Sequence, residues 1–293
     1  MNRSVFFTMA TAACAGILAS ATYASALSIT QTTSDPSLSA ALGGGGGLTI
    51  TSATVTNGAA SQFGTYTGFT SAPVTIGDGV VLSSGQVVQT TAAFVSAGSS
   101  PSTDTGAAGT AEFNAYGPGH ITNFGSSYNV AALSVSFNLA TASQVGFDFV
   151  FGSVEYPVYT SSFTDAFVAF LDGTAMTDQI VFDASNNAVQ VGSTFATALT
   201  TADTNTAFAG IHGLMQLQTF TLGALSAGAH TISFQVGDVN DGILDSAAFI
   251  SNLHAGTGTG GTTPPVSVPE PSSLLLLGSG LVGLASWRRK QTV

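Results

Sequence analysis

The chain has 293 residues and a formal net charge of −11, because it carries fifteen Asp or Glu residues but only four Lys or Arg. Those four stand at the two extremes of the chain: Arg3, Arg288, Arg289 and Lys290. The acidic stretch between them repels phosphate, which excludes nucleic acid as a partner and disfavours anionic lipid. Acidic polysaccharide would also be repelled unless divalent cations bridged the two. The composition is 44% hydrophobic, which is too apolar for a disordered chain and predicts a folded domain.

Residues 1–26 are typical of a secretory signal peptide. Arg3 supplies positive charge, a stretch of apolar or small residues follows, and Ala24 and Ala26 suit the cleavage positions of a signal peptidase site. The alternative is a transmembrane helix, which the small-residue site and the polar chain after it disfavour. Cys14 is the only cysteine and lies inside this segment, so the exported chain is predicted to have no disulfide.

One short helix is predicted near the start of the mature chain. Asp35 suits the N-cap, Pro36 the first helical position, and Gly43 the position after the helix ends. Helical periodicity is nearly absent elsewhere in the chain.

Alternation of apolar and polar residues predicts many strands. The clearest alternations are 133–139, 145–151 and 232–236, each expected to bury one face. Shorter runs also predict strands, at 48–55, 80–83, 168–171, 179–183 and 217–222. Strands without intervening helices predict an all-β fold, namely one antiparallel β-sandwich of jelly-roll or lectin-like type over residues 27–254. A linker rich in Gly, Thr and Pro follows at 255–268.

Residues 269–293 form a tail with three parts. Its motif is Pro269, Glu270 and Pro271, its middle is an apolar stretch, and its basic cluster is Arg288, Arg289 and Lys290. As a helix, the apolar part would reach ~24 Å, somewhat less than a ~30 Å hydrocarbon core, so we expect a short transmembrane helix. The basic cluster would stop transfer and stay in the cytoplasm. A simple C-terminal membrane anchor would explain the apolar stretch and the basic cluster but not the Pro-Glu-Pro motif.

The three parts in this order resemble the PEP-CTERM sorting signal of Gram-negative, polysaccharide-producing bacteria. The resemblance implies that the tail holds the protein transiently in the inner membrane, where an exosortase recognises and removes it. The protein would then reach the cell envelope or surface, or be secreted. Signal peptidase and exosortase are therefore the expected partners during export.

Three internal stretches carry a second resemblance. They are GDGVVLSSG at 77–85, FDFVFGSVEYPVYTSSFTDAFVAFLDG at 147–173, and DVNDGILDSAAFI at 238–250. Together they resemble the choice-of-anchor L domain, over about residues 30 to 252. The strongest part is 151–157, where Val154 occupies the place in which a second acid is usual. The resemblance implies a surface β domain and no known reaction.

Acidic side chains in the last two of these stretches are candidate metal ligands. They are Asp238, Asn240, Asp241 and Asp245 in one Gly-containing loop, with Glu155 and Asp165 facing the same site or another. Because no Lys or Arg is available to neutralise them, a hard cation such as Ca²⁺ is a candidate counter-charge. The spacing is not that of an EF-hand. The alternative is that these residues form ordinary Asx-turns and solvated loop acids.

Three molecular roles remain open. The first is a non-enzymatic envelope or matrix protein that acts by adhesion or scaffolding, with exopolysaccharide as a candidate partner. The second is a lectin-like module in which tyrosines stack on sugars, with Tyr116, Tyr128, Tyr156 and Tyr159 as candidates; the alternative, which is favoured, is that these tyrosines are core or strand-edge residues. The third is a glycoside hydrolase that uses Glu155 and Asp165. The first is favoured, because the mature domain lacks the Trp and Arg that sugar-cleaving clefts commonly use, a Gly-x-Ser-x-Gly elbow, and a zinc-ligand spacing.

Overall fold

The computed structural model of the chain describes residues 26–71, 76–96, 100–173, 176–183, 187–193, 196–198, 204–208, 213–215, 218–221 and 223–256. The predicted cleavage residue Ala24, the Pro-Glu-Pro motif, the apolar helix of the tail and its basic cluster lie outside the described residues. Ala26 is the first residue described, and it is exposed.

Thirteen strands in the described part of the chain form two sheets, and every strand pairing is antiparallel. The eight-stranded sheet contains, in spatial order, β1 (Ser28–Gln31), β3 (Phe63–Thr67), β4 (Gly79–Ser83), β13 (Ser246–Ala255), β6 (Val145–Ser153), β10 (Gly213–Met215) and β9 (Ala196–Ala198), while β11 (Gln218–Thr221) also pairs with β6. The five-stranded sheet contains β2 (Leu48–Asn57), β5 (Ser127–Leu139), β12 (Gly228–Val239), β7 (Ala166–Leu171) and β8 (Val189–Gln190). The predicted antiparallel β-sandwich is confirmed.

Phenylalanine side chains fill the space between the two sheets. Phe147 of β6 meets Phe234 of β12 edge to face, with ring centroids 5.0 Å apart. Phe149 of β6 packs on Phe167 of β7 at 5.1 Å. These rings are fully buried, so they supply much of the apolar area that holds the sheets together.

The expectation that residues 145–151 bury only one face is wrong. All nine residues of β6 are buried. The reason is a second hydrophobic cluster on the outer face of the eight-stranded sheet, in which Val150 packs with Val81, Phe208 and Phe249. A strand covered on both faces can carry apolar residues at every position, so alternation alone could not reveal this burial.

The described helices are short. α1 (Asp35–Leu42) matches the predicted helix and ends at Gly43, whose φ of 94° favours glycine. Its N-cap, however, is Ser34 rather than Asp35. The Asp35 carboxylate instead accepts hydrogen bonds from Ser39 Oγ and from the Ala53 N–H, both at 2.7 Å, which ties the helix to β2.

Two further helices, α2 (Ala92–Ser96) and α3 (Ala111–Tyr116), were not predicted because they are too short to show helical periodicity. The strand predicted at 179–183 is also wrong. A 3₁₀ turn (Met176–Asp178) precedes isolated bridges at Gln179 and Phe182. No helix in the described ranges is long and apolar enough to span a membrane.

Two connections cross between the sheets at the same end of the sandwich. Residues 154–165 connect β6 to β7, and residues 240–245 connect β12 to β13. Ser153 at the end of β6 pairs with Ser246 at the start of β13. Gly237 near the end of β12 pairs with Ala166 at the start of β7. Residues on both connections are thereby placed close together.

Candidate functional site

A cluster of acidic side chains occupies this end of the sandwich. Its members are Glu155, Asp165, Asp238, Asp241 and Asp245, and we refer to them as the carboxylate cluster. All but Asp241 are at most 1% exposed, and Asp241 is half-buried. The alternative of solvated loop acids is therefore wrong for the four buried members. Asp241 does form an Asx-turn, since its Oδ1 accepts from the Ile243 N–H at 3.4 Å.

Pairwise interactions connect the five carboxyl groups. Glu155 feels the negative charge of Asp241, and its side chain is hydrogen-bonded with Asp165. Asp238 in turn feels the charges of Asp165 and Asp245. Five of the six metal ligands predicted from the sequence are thus brought together by the fold.

Asp165 links three strands. It stands immediately before β7, and its Oδ1 accepts from the Val239 N–H of β12 at 3.0 Å. Its Oδ2 accepts from Ser246 Oγ of β13 at 2.7 Å. Because these donors are themselves buried, the Asp165 carboxylate satisfies polar groups that would otherwise lose their hydrogen bonds.

Asp238 and Asp245 accept hydrogen bonds from other parts of the chain. Asp238 Oδ2 accepts from Asn129 Nδ2 at 2.9 Å, and Asp245 Oδ1 accepts from the Thr103 N–H at 2.8 Å. Among the described residues, three buried carboxylate oxygens have no hydrogen-bond partner: Glu155 Oε2, Asp238 Oδ1 and Asp245 Oδ2. Such atoms are costly to bury, because their hydration is lost without replacement.

Burial changes the acidity of the cluster. Burial, and next the charge of Asp241, raise the pKa of Glu155 to about 9. Burial followed by the charge of Glu155 raises the pKa of Asp165 well above its usual value, and burial followed by the charge of Asp165 does the same to the pKa of Asp238. Burial raises the pKa of Asp245 to about 6. Burial therefore favours the neutral, protonated form of these carboxyl groups more than solvent would.

Asn240, the sixth predicted ligand, has its side chain engaged elsewhere. Its Nδ2 donates to the main-chain carbonyl oxygens of Asn123 and Ser162, both at 2.9 Å. Its Oδ1 accepts from the Gly125 N–H at 2.8 Å. With a φ of 77°, Asn240 shapes the turn between β12 and β13.

Several residues that support the cluster were missed by the sequence reasoning. Buried Ser84 accepts from the Ser246 N–H at 2.8 Å through its hydroxyl. Gly85 leaves room for Asp245, because a Cβ added there would lie 1.7 Å from Asp245 Oδ2. Both belong to the stretch 77–85, which could have drawn attention to them. Nothing in the sequence indicated that Asn129 contacts the cluster.

In the described part of the chain, no three or more His, Cys, Asp or Glu side chains are arranged as ready metal ligands around one point. The histidines are used differently. His230 Nδ1 lies 2.6 Å from Asp172 Oδ2, and its Nε2 lies 2.9 Å from the Ser226 carbonyl oxygen. Since both neighbours are acceptors, both ring nitrogens donate when His230 is protonated. His212 lies outside the described residues.

A groove of about 570 Å³ runs over the outer face of the five-stranded sheet, beside α3. Hydroxyl and amide side chains line much of it, among them Ser134, Thr231, Ser233 and Gln235. Ser134 and Ser233 stand directly opposite each other on β5 and β12. The face is therefore polar where α3 leaves it uncovered.

The four candidate tyrosines differ in accessibility. Tyr128 and Tyr159 are exposed, and Tyr156 is half-buried. Tyr116 is buried in α3 and stacks on His120 at 4.4 Å, so it is a core residue, as the favoured alternative predicts, and not a sugar-stacking surface.

Fold and site define a two-sheet antiparallel sandwich domain with an acidic cluster buried at the end where the chain crosses between the sheets. The chain belongs to the choice-of-anchor L domain family, whose model matches residues 27–254. A PEP-CTERM protein-sorting motif matches residues 267–290 and implies exosortase-dependent export to the cell envelope or surface. Both resemblances predicted from the sequence are confirmed. Comparisons with curated proteins and with solved structures find no match.

The three stretches that carry the family resemblance meet at the carboxylate cluster. Ser84, near the end of the first, bonds to Ser246 in the third, and the Val154 N–H in the second donates to the Asp245 carbonyl oxygen in the third at 3.2 Å. Residues of all three stretches thus meet at one end of the sandwich.

Proposed function

We propose that this chain is a non-catalytic adhesive or structural protein of a Gram-negative cell surface. Signal peptidase would remove residues 1–26, and the tail would hold the protein transiently in the inner membrane until an exosortase removes it. The observation that carries this proposal is the sorting motif on a domain whose candidate reactive groups are buried or already paired. The groove on the five-stranded sheet would supply the contact with exopolysaccharide or other envelope components.

The non-catalytic role is supported by the positions of the groups that hydrolysis would need. Glu155 and Asp165 are buried side by side, so a sugar cannot enter between them as a glycosidase mechanism requires. His230 has acceptors at both ring nitrogens, so it offers no free nitrogen to activate a hydroxyl.

The adhesive or structural role is tested in the producing cells. Cells that make the full chain should retain more exopolysaccharide and aggregate more than cells that lack it. Cells making a chain in which Pro269, Glu270 and Pro271 are all Ala should behave like the deletion, because the tail is not removed. Equal retention and aggregation in all three strains would contradict the proposal.

A lectin-like role is the second candidate, and the hydroxyl-lined groove is the observation that favours it. Polar side chains on a sheet face can hydrogen-bond sugar hydroxyls. On a glycan array, selective binding that is lost on changing Ser134→Ala and Ser233→Ala together would support it. Ser28→Ala on exposed β1 of the other sheet is the matched control. An array without selective binding would refute it.

A further inference from the structure

We propose that the groove beside α3 binds a polysaccharide whose sugars carry free amino groups. Glu112 and Asp178 bind the ammonium groups, while hydroxyl and amide side chains of β5 and β12 bind the sugar hydroxyls. The inference rests on the proposed contact between this groove and exopolysaccharide, and it names the class of polymer that the groove selects.

The shape of the site suits a polymer. The groove of about 570 Å³ shares Thr231 with a second groove of about 610 Å³, which Ser136, Asn138 and His230 help to line. The two grooves therefore continue one another across the outer face of the five-stranded sheet. Since each alone has the volume of a small-molecule site, the two together accommodate a chain of several sugars.

The floor of the groove offers groups that match sugar hydroxyls. Ser136 stands opposite Thr231 on the neighbouring strand, and their hydroxyl oxygens lie 3.4 Å apart. Gln235 is held in place by two hydrogen bonds. Its Oε1 accepts from the Thr110 hydroxyl at 2.6 Å, and its Nε2 donates to Ser233 Oγ at 3.1 Å. Hydroxyl side chains both donate and accept, as the hydroxyls of a sugar do.

Two acids give the rim of the groove negative charge. Glu112 lines the groove from the first turn of α3 and is half-buried. Asp178 ends the 3₁₀ turn that contacts α3. Its carboxylate lies against Gly173 in the groove wall, since a Cβ added to Gly173 would lie 2.1 Å from Asp178 Oδ2. Residues 26–256 contain neither Lys nor Arg that could neutralise these acids.

Charge and hydroxyl pattern together determine which ligand is selected. The rim repels an acidic polysaccharide, and a neutral one gains no charge contact there. A basic peptide would supply positive charge but few hydroxyls for the floor. A glycan with free amino groups supplies ammonium groups to the rim and hydroxyl groups to the floor.

The test measures the affinity of the full chain in detergent for oligosaccharides of equal length, by isothermal titration calorimetry at about pH 6, where amines are protonated. The probes are oligomers of glucosamine, of N-acetylglucosamine, whose amino groups are blocked, and of galacturonic acid. We expect the glucosamine oligomer to bind about 10-fold more tightly than the acetylated one, and the acidic oligomer not to bind. Addition of about 500 mM NaCl should remove most of this difference, because salt screens exposed charges.

Two variants locate the amine contacts. Glu112→Gln and Asp178→Asn each remove one charge and keep the size of the side chain. Each should weaken binding of the glucosamine oligomer about 3-fold and leave binding of the acetylated oligomer unchanged. Asp78→Asn is the matched control, because Asp78 is exposed beside β4 of the other sheet and Asn keeps an acceptor for the Gly68 N–H. It changes the net charge equally and should leave both affinities unchanged.

Four results would overturn the inference. Equal affinity of the wild type for the glucosamine and acetylated oligomers would leave the groove as a sugar site without selection for amines. An oligolysine that binds as tightly as the glucosamine oligomer would mean that charge alone is recognised. Equal weakening by Asp78→Asn and Glu112→Gln would mean that the contact is not in the groove. Binding of none of the oligomers would remove the groove as the polysaccharide contact. The retention and aggregation of cells test the adhesive role separately, so its failure is distinguishable from each of these.

Discussion

Glu155 and Asp165 stand at opposite ends of the connection between β6 and β7, yet their side chains are hydrogen-bonded to each other in the protein interior. A pair of acids therefore holds the two ends of the loop together. Asp165 also accepts hydrogen bonds from β12 and β13. The stability of this end of the sandwich should depend on Asp165 as an acceptor.

Asp165→Ala should be strongly destabilising, because it leaves the Val239 N–H and the Ser246 hydroxyl buried without acceptors. We expect a loss of about 2–4 kcal/mol in the free energy of unfolding, measured by denaturant titration. Asp165→Asn retains one acceptor oxygen, so its free energy of unfolding should fall clearly less than that of Asp165→Ala. Equal losses in the two variants would mean that the acceptor role is unimportant.

Gly85→Ala should disturb the cluster at Asp245. The added Cβ would collide with the Asp245 carboxylate, which the Thr103 N–H holds in place. We expect a loss of about 1–3 kcal/mol in unfolding free energy. Gly77→Ala is the control, since nothing lies within 4 Å of its added Cβ. A Gly85→Ala variant as stable as the control would show that Asp245 can move aside.

Phe234→Ala should weaken the contact between the two sheets. Phe234 is fully buried, meets Phe147 of the other sheet across the core, and stacks on Phe167 of the neighbouring strand β7. A loss of about 3–5 kcal/mol in unfolding free energy is expected from the cavity. Val158→Ala at an exposed position should change stability little. Similar melting of both variants would contradict the sandwich core.

His230 should give the domain a pH dependence near neutrality. Burial lowers its pKa, but the hydrogen bonds to Asp172 and to the Ser226 carbonyl oxygen raise it by more. The pKa of His230 is therefore higher in the folded protein than the unfolded value of about 6.5. The stability that protonated His230 contributes is complete below about pH 6.5, and it is lost as the pH rises through the pKa of the folded state. NMR titration should show a raised pKa for His230, and Asp172→Asn should lower it. An unchanged pKa in the variant would refute the pairing.

The sequence predicted the sandwich and most of the acidic cluster for identifiable reasons. Period-two alternation in 133–139 and 232–236 marks strands that bury one face, and both segments lie in central strands of the five-stranded sheet. Glu155, Asp165 and Asp238 drew attention because an acid without a possible Lys or Arg partner needs another counter-charge.

Other features depend on contacts between residues that are distant in the chain. Asn129 supports Asp238 across 109 residues, and neither residue's neighbours in the sequence indicate that pairing. Burial of both faces of β6 depends on Phe208 and Phe249, which come from other parts of the chain. The side chain of Asn240 was misassigned because the spacing in the loop cannot show that its amide is used by residues 123, 125 and 162.

The intact mass of the protein isolated from its producing cells, with its C-terminus sequenced, tests the central claim most directly. We expect a chain that starts near Leu27 and ends close to Pro269, as an exported and exosortase-processed surface protein should. Any excess mass would identify what replaces the tail. A chain that still carries Trp287 and Lys290 would contradict the account, because the domain would then remain anchored at the inner membrane.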